Sequence, residues 1–395
     1  MVGNILLMLM GFLGGSTGYL LDYGYGARAF AMGSAYYGLS GDVISGAYNP
    51  ASLGFLRENG FSATYAPLSF DETFTSLVFS KVVQGNLNYA VFLAGLNTPG
   101  FEGRDEFNRR TGTYWFVQYG GGVSIGRRLS DPVAVGLKLK FLYSRIREDI
   151  GAGFGADVST YFIVNSYLRG GLGIKNIIPL SVSYLGEKER APLELITGWD
   201  IRPTSFLHFS VDMSYSAFSG FNMAFGGEGR FLDVFRIRGG INSREITGGI
   251  GVAKDYRNYT LKIDYSYAMP RGISVFHDMH RISFTFNFGG YRVYAVSEPF
   301  VLSITEENAV AKIRLHIHLP YRVSQWKLVI KTNGGEFVRS FEGKNAPPLV
   351  LIWDARDSNG MIVPDGTYRY ELHVIDEYGN EYTKSGNLVK VRLAL

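Results

Sequence analysis

The chain contains no cysteine in its 395 residues. That excludes disulfides, thiolate metal sites, a cysteine nucleophile and a lipid-modified cysteine anchor. Charge is scarce as well: Asp, Glu, Lys and Arg make up 19% of residues, against about 25% in an average protein. The net charge is only +4 and the basic residues are scattered, so no nucleic-acid partner is implied. Long apolar runs are also missing, apart from residues 4–13, NILLMLMGFL. That run is too short for a membrane helix, which takes about 20 residues. It has the character of a signal-peptide core, with Gly14, Gly15, Ser16, Thr17 and Gly18 as its small-residue exit. Residues 1–18 are therefore expected to be a signal peptide, and the protein to be exported.

What is abundant is glycine and aromatic residues, with 50 Gly, 28 Phe and 26 Tyr. From about residue 60 to 288 they follow a period of two. In YTLKIDYSYAM, Tyr259, Leu261, Ile263, Tyr265 and Tyr267 fall on one face, with Thr260, Lys262, Asp264 and Ser266 on the other. A strand sends alternate side chains to opposite faces. VAVGLKLKFLYS sets Leu137, Leu139 and Phe141 against Lys138 and Lys140, and FRIRGGI sets Phe235 and Ile237 against Arg236 and Arg238. FLHFSVDMSYS places Phe209, Val211 and Met213 opposite His208, Ser210 and Asp212.

About fourteen such segments can be counted. Most run about 9–15 residues, whereas strands of soluble proteins centre near 5–6 and membrane-spanning strands need about 9–11. One face is apolar and the other carries charges of both signs, which a packed soluble core would not hold unpaired. The expected fold is all-β: a fourteen-stranded antiparallel transmembrane β-barrel over residues 57–290. Short connections near 83–86, 128–131, 163–166, 201–205, 231–233 and 254–257 alternate with longer ones near 97–111, 146–152, 177–191 and 268–276. Barrels of the bacterial outer membrane have short periplasmic turns and long outer loops, so both barrel ends are expected in the periplasm. Residues 291–299 read as a linker and 300–395 as a small β-sandwich with shorter strands.

Before the barrel lies GARAFAMGSAYYGLSGDVISGAYNPASLGFL, residues 26–56. It resembles the start of FadL-like outer-membrane proteins, most closely the PorV/PorQ branch, through Gly26, Arg28, Met32, Gly33, Asp42, Asn49, Pro50 and Ala51. The resemblance implies that residues 19–56 enter the barrel as an N-terminal plug segment. Small residues permit close backbone approach, and Pro50 fixes a φ angle and pushes Asn49 to an extended conformation. In the tail, WDARDSNGMIVPDGTYRYEL, residues 353–372, resembles the FlgD-type immunoglobulin-like domain.

Chemistry-bearing motifs are few. GYGARA at 24–29 lacks the βαβ context that a dinucleotide site requires. DARDSNG at 354–360 departs from calcium-loop spacing and reads as a tight turn. Ser210, His208 and Asp212 sit two residues apart along one strand, about 7 Å from one to the next, too far for catalytic contact. No catalytic residue, cofactor or metal is expected, and the protein is not read as an enzyme. The lumen-facing candidates are Lys138, Lys140, Asp212, Arg236, Arg238, Lys262 and Asp264. The expected location is the bacterial outer membrane, with the C-terminal domain periplasmic and outer-membrane lipid around the barrel. The expected function is an interaction or secretion-associated component of PorV/PorQ type, partnering secreted proteins or a secretion assembly. The alternative is a FadL-like transporter of hydrophobic or other small molecules.

Overall fold

The alternating segments form a closed wall. The computed structural model describes residues 19–393, apart from 69–70, 84–86, 131, 147–148, 166, 185–186, 205, 232–233, 257–258, 272–278, 290–291, 305–309, 320–321 and 378–380. The expected signal peptide, residues 1–18, lies outside the described residues. Three short helices come first: α1 (Tyr19–Asp22), α2 (Ala27–Ala31) and α3 (Ser45–Tyr48), then a 3-10 helix, Pro50–Phe55. The strands that follow are β1 (Asn59–Pro67), β2 (Thr73–Lys81), β3 (Leu87–Arg104), β4 (Arg110–Arg128), β5 (Val133–Ile146), β6 (Asp149–Ile163) and β7 (Leu168–Ile178). A small hairpin, β8 (Ser181–Tyr184) and β9 (Glu187–Arg190), interrupts the series. It resumes with β10 (Glu194–Thr204), β11 (Leu207–Ser216), β12 (Gly220–Phe231), β13 (Phe235–Asn242), β14 (Glu245–Asp255), β15 (Tyr259–Pro270) and β16 (Met279–Phe288).

Every strand but the β8–β9 hairpin pairs antiparallel with its neighbours, β7 meets β10, and β1 closes on β16 to make a barrel of 14 strands. Closure removes every unpaired edge, so backbone donors and acceptors are satisfied within the wall. The register bears out the period of two. On β15, Ile263 is 53% and Tyr265 38% exposed, whereas Asp264 is 5% and Ser266 0% exposed. On β13, Phe235 and Ile237 point outward while Arg238 is buried.

Two sequence-based boundaries need correction. Residues 97–111 and 146–152 are largely strand rather than loop: β3 and β4 continue to a short turn at 105–109, and β6 begins at Asp149. The charged stretch NTPGFEGRDEFNRRT can pair because a strand whose two faces are both wet has no need of an apolar side. Segment 177–191 is not a plain outer loop either. Leu180 and Val182 are buried in the same apolar cluster as Leu20 and Tyr25. A Cβ on Gly153 of β6 would lie 2.1 Å from the Ser181 oxygen, so β8 lies directly on the inner wall. The hairpin therefore folds into the lumen.

The second compact unit spans Gly289–Leu395. Its strands are β17 (Arg292–Glu298), β18 (Val301–Ile304), β19 (Ala311–His318), β20 (Val323–Thr332), β21 (Phe337–Lys344), β22 (Leu351–Trp353), β23 (Gly366–Asp376) and β24 (Glu381–Leu393). They form a three-stranded sheet, β17-β19-β22, and a five-stranded sheet, β18-β24-β23-β20-β21. Residues 291–299, read as a linker, contain β17, whose pairing with β19 runs from Arg292–His318 to Glu298–Lys312. Trp353 is fully buried in this unit's core, with its ring 5.4 Å from that of Tyr368. Asp357 turns the chain by accepting, through Oδ1, the backbone N–H groups of Asn359 and Met361 at 2.9 Å each.

Candidate functional site: the lumen and its inner segment

Residues 19–56 are almost wholly buried, and their partners are wall side chains that face inward. The sequence allows this through glycine on both sides of the contact. Gly33 has φ +65°, and a Cβ on Gly240 of β13 would lie 2.1 Å from the Gly33 nitrogen. A Cβ on Gly198 of β10 would lie 2.4 Å from the Gly38 nitrogen. Met32 and Pro50 press their carbonyl oxygens against Gly226 and Gly126, where a Cβ would come within 2.4 Å of each. Such distances leave no room for any other residue.

Charge then fixes the segment in place. Arg28 of α2 donates from Nε and Nη2 to the two oxygens of Glu228, at 2.8 and 2.9 Å. Its Nη1 donates to Asp42 Oδ2 at 2.7 Å and to Tyr36 Oη at 2.9 Å. Tyr36 Oη in turn donates to Asp42. Glu228 also accepts from Arg238 Nε at 2.6 Å, and Arg238 Nη1 reaches Asp264 at 2.7 Å. One alternating chain of charge thus runs Asp42–Arg28–Glu228–Arg238–Asp264 through β12, β13 and β15. Paired buried charges of this kind hold register, and breaking one pair is costly. Asp212 of β11 accepts the backbone N–H groups of Tyr36 and Tyr37, both at 2.8 Å.

A second cluster lies on β5 and β6. Lys140 meets Asp157 at 2.7 Å, and Lys138 meets it at 3.5 Å while donating to the Tyr48 carbonyl at 3.3 Å. The Asn49-Pro50-Ala51 turn sits near this pair. Asn49 is extended, with φ −119° and ψ 107°, as a following proline requires. Its Oδ1 accepts from the Ala51 N–H at 3.0 Å, and its Nδ2 donates to the Tyr37 carbonyl at 3.1 Å. Ala51 N–H also reaches Ser159 Oγ at 3.1 Å. Gly26, at φ +81°, donates its N–H to Thr64 of β1 at 3.2 Å. Of the residues singled out from sequence, Arg236 and Lys262 face inward but stand outside both clusters.

Arg281 of β16 escaped the sequence reading. It is 1% exposed, and its guanidinium carbon lies 3.5 Å from the Phe30 ring centroid and 4.1 Å from that of Tyr23. The period of two across Arg281, Ser283, Thr285 and Asn287 would have placed it in the lumen.

At the rim opposite the one where the chain enters, the segment is the floor of a cavity of 410 Å³. Tyr19, Tyr23 and Phe30 of the segment line it, with Ile196, Phe218 and Ala224 of the wall and Lys175, Glu194, Arg244 and Glu245 among its charged groups. A second hollow, of 690 Å³ and almost wholly apolar, lies on the outward face of the wall at β6, β7, β10, β11 and β12, lined by the exposed side chains of Leu172, Leu195, Tyr215 and Phe221. Ile196 and Ser214 line both spaces, and they are partners in the part of the β10–β11 ladder that runs without a shift from Glu194 to Ile201. One layer of backbone divides the two.

No protein-family model matches the chain, and no curated protein matches it in sequence. Solved structures do match. The toluene transporter TbuX of Ralstonia pickettii aligns with a TM-score of 0.50 at 15% identity, over 68% of this chain and 98% of that one. The toluene transporter TodX of Pseudomonas putida gives 0.51 at 10% identity, over 67% and 97%. The barrel has a FadL-like fold. A FadL homologue of Pseudomonas aeruginosa also aligns, at 8% identity and a TM-score of 0.47, over 67% of this chain and 98% of its own. Among the described residues of this FadL-like barrel, no group of three His, Asp or Glu side chains is placed to hold a metal.

Proposed function

We propose that the protein is an outer-membrane conduit for small hydrophobic molecules, with residues 19–56 as its plug. The observation that carries this is the 410 Å³ cavity, floored by aromatic residues of the inner segment and open toward the rim away from the chain's entrance. Its size suits a small apolar ligand, and the neighbouring apolar hollow on the outward face of the wall offers a second such environment one backbone layer away. The likeness to proteins described as toluene transporters supports the same reading. Passage past the floor requires the segment to shift. The charged chain through Arg28 and Glu228 is then the latch that sets how often it does so.

Toluene binding to the purified protein in detergent, followed by saturation-transfer NMR, tests the proposal. Saturable binding that Ala224→Trp removes supports it. Binding that is absent, or indifferent to this substitution, refutes it.

The reading as a PorV/PorQ-type interaction component ranks second. Its support is the separate unit 289–395, which has its own buried core around Trp353 and Leu328, more than a simple conduit requires. An immunoglobulin-like, FlgD-type character of that unit and its periplasmic location belong to this reading.

A further inference from the structure

The lumen's other rim, where the chain enters at Asn59 and leaves at Phe288, carries a concentration of basic side chains that the latch does not use. Arg169 is the second residue of β7, His208 the second of β11 and Arg236 the second of β13; Arg230 is the last but one of β12. Arg202 and Lys262 complete the set on β10 and β15. All six face inward on strand ends of the same rim, and all are half-buried. Arg169 lies within electrostatic reach of Arg202 and Arg57, and of Asp200. Arg236 lies opposite Arg230 on the β12–β13 ladder, within reach of it and of Glu228, and Lys262 lies within reach of Arg236, Asp42 and Glu58.

Among the described residues, the acidic groups near this rim already have partners. Asp200 is held by Arg202 at 2.5 Å, with His208 at 3.6 Å. Glu58 accepts from Asn287, and Asp42 is taken by Arg28. Among the described residues, the buried Nε atoms of Arg169 and Arg230 have no hydrogen-bond partner. An unpartnered buried donor costs free energy, more so when charged. Like charges gathered on one wet wall gain by taking up an anion, and guanidinium groups fit carboxylate and phosphate oxygens in pairs.

We infer that this rim binds small oxyanions, carboxylates or phosphates, held between neighbouring arginines: Arg169 with Arg202 on β7 and β10, and Arg230 with Arg236, which are partners on the β12–β13 ladder. A permeant that carries a carboxyl group would meet a favourable site at this end of the barrel, and free phosphate would compete for it. The site is independent of whether the mouth cavity takes toluene.

The test uses the full chain in a zwitterionic detergent at low ionic strength, with inorganic phosphate and benzoate as separate titrants in calorimetry. Saturable binding of either is expected, weakened at least tenfold in Arg169→Gln/Arg230→Gln and unchanged in Lys327→Gln, a control in the second unit. The preferred titrant tells free phosphate from an organic carboxylate as the source. Because the double substitution relieves repulsion, it should also raise the melting temperature in the absence of anion. No saturable binding of either titrant, or equal binding by the double variant, overturns the inference. So does a double variant that melts lower than the parent.

Discussion

Glu228 is the link whose loss should open the lumen without harming the wall. It accepts two bonds from Arg28 and one from Arg238, and its side chain is 3% exposed. Glu228→Gln keeps the size but removes the charge, leaving Arg28 and Arg238 facing each other across a neutral amide. Breaking a buried ion pair from one side costs about 3–5 kcal/mol. Arg28 keeps Asp42 and Tyr36, and Arg238 keeps Asp264, which argues for the lower end. Each 1.4 kcal/mol is a factor of ten, so the released state of the segment should rise by about a hundredfold or somewhat more. The absence of native cysteine makes the assay simple. Ser45 is 0% exposed, and Ser45→Cys is nearly isosteric. In that background a maleimide should label slowly, and Glu228→Gln should speed labelling by that factor while heat-modifiable migration of the barrel is kept. Equal labelling rates in a folded barrel would refute the latch.

Other outcomes follow from the same geometry. Ile263→Arg, on the outward face of β15, should lower the stability of the folded barrel by about 2–4 kcal/mol if it lies near mid-membrane, whereas Lys262→Ala should cost much less; equilibrium unfolding in lipid vesicles compares them, and a reversed order would mean a wrong face assignment. Gly240→Val should unseat the segment, since even its Cβ would fall 2.1 Å from the Gly33 nitrogen; rapid labelling at Ser45→Cys with an intact barrel is the expected readout. Asn49→Ala removes the acceptor for the Ala51 N–H and the donor to Tyr37, at a cost of about 1–3 kcal/mol for buried groups left unpaired, and should likewise raise labelling, more weakly than Glu228→Gln. The fragment 289–395 should fold by itself, with Trp353→Ala destabilising it by about 3–5 kcal/mol in a thermal melt.

The wall was legible because lipid-facing and lumen-facing residues must alternate, and nothing else in a long charge-poor chain imposes that period over two hundred residues. Lys138, Lys140, Arg238 and Asp264 could be placed inside on this ground alone. The pairing itself could not be read, since Arg28 and Glu228 stand two hundred positions apart and meet only once the barrel closes. The β8–β9 hairpin was hidden for a different reason. Its mixed composition looks like an outer loop, and only the glycines of β6 opposite it show that there is room for a strand within. The strand β17 was missed because it is short and its alternation merges with the change of pattern after Phe288. Turn chemistry was plain where proline and glycine dictate it, at Asn49-Pro50 and at Asp357–Gly360.

The central claim, passage of a small apolar molecule through a mouth floored by the inner segment, is tested most directly by uptake. Cells whose outer membrane lacks its own hydrocarbon channels would express the full chain or Ala224→Trp, and entry of labelled toluene would be timed at low external concentration. Uptake by the parent chain should exceed that of cells without it, and Ala224→Trp should return it to that background. Uptake no faster than background, with folded barrel demonstrated in the outer membrane, would contradict the account.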